Sequence, residues 1–229
     1  ELDLLGKYFY KDLEGNVTLD MNEKIANFSL NSNEFESLKF LKKFFRLSPI
    51  AESWMYDNVE GKLQLNEFYG SFDLVKNEII EKSLYGKAVI KDAKIKFHKN
   101  IKKIHTKQID VGFDNNKLSL DLIEPVFEKI KIDGSYVHIN EIASSKNGNV
   151  VVNIVAKKAK LDSRILNILK AYDINLPLVQ KTGNTNASVK LTIPYAEDKK
   201  MDTKGKFILS KSDILLQEFP FSTTKATVI

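Results

Sequence analysis

A mainly β fold of antiparallel strands is what this chain of 229 residues predicts, on three observations. Apolar and polar residues alternate: in "IDVGFD" and "KLSLDL", Ile109, Val111 and Phe113, then Leu118, Leu120 and Leu122, share one face. Glycine recurs at the start of such segments, where a tight turn needs its conformational freedom. Helical spacing is confined to a few short stretches.

The elements follow in order. "ELDLLGKYFY" and "GNVTLDM" (from Gly15) alternate as strands. "NEFESLKFLKKFF" places Phe35, Leu38, Leu41 and Phe45 at helical spacing behind an Asn cap, predicting a helix over Phe35–Phe45. "SPIAESWMYDN" reads as a helical turn or two, with Pro49 near its start. "GKLQLNEFYGSFDL" at Gly61 and "GKAVIKDAKIKF" at Gly86 resume the alternation, and the "DLVKNEIIEKSL" between them fits either period. After the Asn-Asn turn come "GSYVHINEI" at Gly134 and "GNVVVNIVA" at Gly148. "LDSRILNILKAYDINLP" predicts a helix over Leu161–Tyr172, capped by Asp162 or Ser163. "GNTNASVKLTIPY" at Gly183 and "GKFILSKSDILL" at Gly205 close the series. Laying Gly205 on Gly86 puts Val89 on Ile208, Ile95 on Ile214, Phe97 on Leu216 and Ile109 on Val228. The regions around 86–122 and 205–229 therefore read as repeated β units. No linker divides the chain. It opens without Met and stops within a strand-like pattern, so the expectation is one β segment, 1–229, of a longer protein. Strand edges at Leu2–Tyr10 and Thr223–Ile229 are then left to pair with adjoining β segments.

Composition narrows the function. Apolar content of 43% and charge of 28% suit a folded chain, and a net charge of +5 is mild. With no cysteine, disulfides and thiol chemistry are excluded. No apolar run approaches the ~20 residues of a spanning helix. The residues His98, His105 and His138 have no metal-ligand spacing, and nucleophile, phosphate-loop and dinucleotide motifs are missing. The reading is no enzyme, no catalytic residue, no metal and no cofactor. The basic run "KDAKIKFHKNIKKIHTK" has seven lysines but no arginine. Lys94 and Lys96 alternate with Ile95 and Phe97, so it reads as a solvated strand face and not as a nucleic-acid groove.

What the apolar face meets is open on periodicity alone. Two such faces can close on each other as a β-sandwich, a structural or adhesive surface domain without cargo. Alternatively one curved sheet can stay open and receive another apolar object. A seven-residue strand is about 23 Å long, comparable with an extended acyl chain.

The order "LSPIAESWMYDNVEGKLQLNEFYGSFDL", "GKAVIKDAKIKF", "IHTKQIDVGFDNNKLSLDL" resembles the AsmA-like superfamily, in particular its YhdP-type branch with the DUF3971 domain. Pro49, Trp54, Gly61, Gly86, Val111, Phe113, Leu118 and Leu120 occupy the pattern, and "TGNTNASVKLTIPY" (Thr182, Gly183) resembles its later turn and strand. Phe72 and Leu74 depart from it where a Pro-rich turn is usual, and the lysine content is high. The resemblance implies an antiparallel, strongly curved open sheet with two or three short helices, a β-groove. It also implies a periplasmic protein anchored in the inner membrane by a helix outside these residues, carrying phospholipid between inner and outer membranes and supporting outer-membrane integrity. The groove lining it implies comprises Val89, Ile95, Phe97 and Ile109, with Val111, Phe113, Leu118 and Leu120, and with Leu122, Val189, Leu191 and Ile193. The partners would be phospholipid acyl chains and the two membranes, with no nucleic acid.

Overall fold

The alternating segments become strands of one sheet. The computed structural model describes residues 2–36, 39, 42, 49–142, 144, 147–172 and 174–229. Strands β1 (Leu2–Tyr10), β2 (Leu13–Met21) and β3 (Ile25–Leu30) lead through a short β4 (Glu34–Phe35) to helix α1 (Pro49–Tyr56). Next come β5 (Val59–Asp73), a two-residue β6 (Glu78–Ile79), β7 (Tyr85–Ile95), β8 (Ile104–Asp114) and β9 (Lys117–Ile123). A small hairpin, β10 (Val126–Phe127) and β11 (Ile130–Lys131), precedes β12 (Tyr136–Asn140) and β13 (Asn149–Ala159). Helix α2 (Ser163–Ala171) is followed by β14 (Leu178–Gln180), β15 (Asn184–Pro194), β16 (Asp202–Leu216) and β17 (Phe219–Val228).

All long strands pair antiparallel with their neighbours in sequence, in the order β1, β2, β3, β5, β7, β8, β9, β12, β13, β15, β16, β17. Short loops between alternating segments lead to such a meander. The sheet does not close: among the described residues β1 pairs only with β2, and β17 only with β16.

Of the two expected helices, Leu161–Tyr172 is present as α2. Asp162 is its cap, accepting the Arg164 amide N–H at 3.1 Å. The helix expected over Phe35–Phe45 is not entered at Phe35, which ends β4, and residues 37, 38, 40, 41 and 43–48 lie outside the described residues. The ambiguous stretch resolves into the end of β5, a turn, β6 and one 3-10 turn.

Curvature follows from burial. Ile139, Val150 and Leu191 are 0% exposed, yet α1 and α2 lie at the opposite end of the strands, beside Asn58, Phe97 and Glu128. A flat sheet this wide would leave that end wet. The wings of the sheet therefore face each other and bury one continuous core.

Candidate functional site

The inward side chains form rows that cross the strands. One row runs Gly6, Val17, Leu30, Phe68, Gly86, Phe113, Leu118, Ile139, Val150 and Ile193, each directly opposite the next. A second runs Leu65, Ala88, Val111, Leu120, Val137, Val152 and Leu191. Phe28, Phe68 and Phe113 follow one another with ring centroids 6.1 Å apart. Two glycines make room for these rings. A Cβ at Gly70 would lie 2.3 Å from the Phe28 ring, and one at Gly86 would lie 2.8 Å from that of Phe68. These two rows are apolar from β1 at one edge of the sheet across to β15, and Thr203 on β16 follows Leu191.

Its accessibility is graded. Ile95, Phe97, Ile109, Leu120, Leu122, Val189 and Leu191 are buried within the core. Val111, Phe113, Leu118 and Ile193 are half-buried against it. On β1 to β3 the cover thins: Val17, Leu19, Phe28 and Leu30 are half-buried but lie outside that core, while Leu2 and Leu4 reach 48% and 52% exposure. An apolar track that passes from a packed centre to an accessible wing can accept hydrocarbon along the wing.

Val89 lies apart from the other expected lining residues. It pairs with Asp110 and Gln64, on the face opposite to that of Ile90, Ile109 and Leu63. The cause is Asp92, whose backbone is left-handed at φ 49. Inward positions on β7 are Gly86, Ala88 and Ile90 before it and Ala93 and Ile95 after it. On β8 the inward set changes in step, from Ile104 and Thr106 to Ile109, with the Thr106 hydroxyl donating to the carbonyls of Gln108 and Ile123. Strict alternation carried back from Ile95 thus selects the wrong face at Val89. The accessible wing (Leu4, Val17, Leu19, Phe28, Leu30) was missing from the expected lining, although alternation in "GNVTLDM" signals it.

The outer face is polar and carries most of the charge, with a net positive excess. Four lysines of the basic run are paired: Lys91 with Glu34, Lys102 with Glu128, Lys103 with Glu60 at 2.6 Å and Lys107 with Glu124 at 3.1 Å. The hydrogen bond from Lys103 holds the Glu60 carboxyl below its usual range, and Lys91 does the same for Glu34. His138 stacks on Tyr136 with centroids 4.2 Å apart, and burial lowers its pKa. Among the described residues no group of His, Asp and Glu is arranged to hold a metal, and no helix is long and apolar enough to cross a membrane.

Comparison with known proteins adds one finding. A family model described as YhdP protein matches residues 15–229. No curated protein and no solved structure matches the chain. The match covers nearly all of the sheet, from β2 onward. The chain belongs to the YhdP family.

Proposed function

We propose that this chain is a segment of a periplasmic β-groove that carries phospholipid between the inner and outer membranes. The observation that carries this reading is the apolar face of an open sheet, continuous in rows from β1 to β15, packed at its centre and accessible on β1 to β3. Membership of a family of lipid-transport type supports it. Acyl chains lie on the track and gain by leaving water, with no directional bond to fix them, so they slide. Headgroups stay at the slit, because burying them unpaired is costly. Anchoring falls to a membrane helix outside these residues. No side chain performs chemistry. A closed sandwich fits less well, because its two sheets would replace the single continuous one.

Photoreactive residues placed one at a time on both faces of the wing test the reading. With diacyl phospholipid, crosslinks are expected at Val17, Leu19 and Phe28 and not at the outward Asn16, Thr18 and Asn27. Equal labelling of both faces, or none, would overturn it.

A further inference from the structure

The end of the sheet that α2 closes gathers lysines without counter-ions. The loop between β7 and β8 contributes Lys96 and Lys99, and the β10–β11 hairpin contributes Lys129 and Lys131. Lys157, Lys158 and Lys160 follow at the end of β13, and Lys170 stands in the last turn of α2. Helix α2 ties these segments together. Tyr172, just past it, donates its hydroxyl hydrogen to the Phe97 carbonyl at 2.9 Å, with its ring centroid 5.1 Å from that of His98. Lys170 is thereby set beside Lys96 and Lys99. At the start of the helix Arg164 donates to the carbonyl of Glu128, the neighbour of Lys129, at 2.8 Å. The Asp162 amide donates to the Lys160 carbonyl at 2.9 Å.

The carboxylates of these segments are largely taken. Among residues 96–103, 124–135 and 157–172 only Glu124, Glu128, Asp133 and Asp162 are acidic. Glu124, Glu128 and Asp162 pair with Lys107, Lys102 and Arg164, which leaves Asp133 as the one free counter-charge of these segments. The lysines named above are all exposed, and among the described residues none has an ion pair or a hydrogen bond to its ammonium group. Like charges gathered in this way repel one another, and an anionic partner relieves the repulsion. The turns at the opposite end of the strands carry no such excess. Residues 22–24, 74–84, 141–148 and 195–201 hold equal numbers of acidic and basic residues.

What the surface lacks selects the partner. A specific protein interface centres on aromatic and large apolar anchors and is poor in lysine, and no large apolar side chain of these segments is exposed. A nucleic-acid groove offers arginines and stacking rings. Here Arg164 is held by Asp162, and Phe97 and Phe127 are buried. Lysine is a compact point charge on a flexible stem, which suits a layer of many phosphates without fixed geometry. Clusters of about four to eight lysines beside an amphipathic helix fit anionic lipid. We infer that the α2 end of the sheet docks on the surface of an anionic phospholipid bilayer, with its lysines among the phosphates. This contact is separate from the cargo track and does not rest on it.

Flotation of the whole chain with lipid vesicles tests the contact. Binding is expected to vesicles of phosphatidylcholine with phosphatidylglycerol, weakening steeply as salt rises, and not to phosphatidylcholine alone. Lys96→Gln/Lys99→Gln/Lys157→Gln/Lys160→Gln/Lys170→Gln is expected to melt as the parent does, since these exposed groups have no partner to lose. Its binding is expected to weaken about fivefold per lysine removed. A matched variant at the opposite end, Lys24→Gln/Lys82→Gln/Lys117→Gln/Lys199→Gln/Lys200→Gln, is expected to bind nearly as well as the parent. Equal losses in the two variants, no loss in the first, or equal binding to both kinds of vesicle overturns the inference. So does tighter binding of a single-stranded oligonucleotide or of polyglutamate than of the vesicles at the same salt, which assigns the surface to nucleic acid or to an acidic protein. Phospholipid crosslinks at Val17 and Phe28 are expected to persist in the first variant. Their loss together with vesicle binding overturns the bilayer contact, for then the lysines hold the headgroup of the cargo itself.

Discussion

Ile109 and Val111 stand two positions apart on β8 with side chains on the same face, yet only Ile109 is wholly out of reach of water. A carboxylate at Ile109 is buried without a partner, so Ile109→Asp is expected to lose more than about 4 kcal/mol and fail to fold. At the half-buried Val111 the same group can turn toward the slit. Val111→Asp is expected to fold with a loss of about 1–3 kcal/mol, read by chemical denaturation. Equal losses at both sites would remove the graded accessibility on which the groove reading rests. Asp162 offers a pH test at the same scale. Its carboxylate caps α2 and pairs with Arg164 at 2.6 Å, and the hydrogen bond from Arg164 holds its pKa below the usual value. A depressed folded-state pKa contributes stability above the unfolded value of ~3.9, and that contribution is lost as pH falls through the folded value. Asp162→Asn keeps an acceptor for the cap but loses the ion. It is expected to narrow its stability deficit steadily below about pH 4; a deficit independent of pH would leave the ion pair without a role.

Helix α2 shows what an element contributes that no strand does. It turns Ile165, Ile168 and Leu169 into the core, and Arg164 donates to the Glu128 carbonyl at 2.8 Å, so it closes one end of the sheet. Ile168→Asp should therefore lower the melting temperature strongly, as a charge in that closed end has no route to water. An unchanged melting curve would mean that α2 is not part of the end closure. This helix was legible in the sequence because its stripe at Ile165, Leu166, Ile168 and Leu169 has helical spacing and a cap stands before it. The strands were legible from alternation, which reports directly which side chains one face must bury. Left-handed Asp92 and Lys211 were not legible, since neither residue type demands that backbone and each reverses the parity beyond it. That is why Ile95 and Ile109 fall on the inward face while Val89 falls outside. The grading of the face was also hidden. Leu19 and Leu120 look alike in sequence, and only the curl of the sheet decides that one is half-buried and the other buried.

For the whole molecule, an open sheet with one packed region divides into zones of different stability. β8, β9, β12 and β13 are flanked on both sides by paired strands and contribute buried side chains such as Ile109, Leu120, Ile139 and Val150. Among the described residues β1 and β17 each have one paired neighbour, and their large apolar side chains are mostly exposed. Local opening costs least where few apolar contacts are lost, so amide exchange should be slowest in the central four strands and fastest at the two edges. Adding phospholipid then separates the roles of the edges. Acyl chains on the wing bury Leu4, Val17, Leu19 and Phe28, and a ligand that binds only the folded wing stabilises it by mass action. Exchange is therefore expected to slow on β1 to β3 when phospholipid is added, and to stay unchanged on the central strands. Slowing confined to β17 would place the lipid on Phe219 and Phe221 instead. Slowing spread evenly over the sheet would mean that the packed centre itself opens to admit the chains.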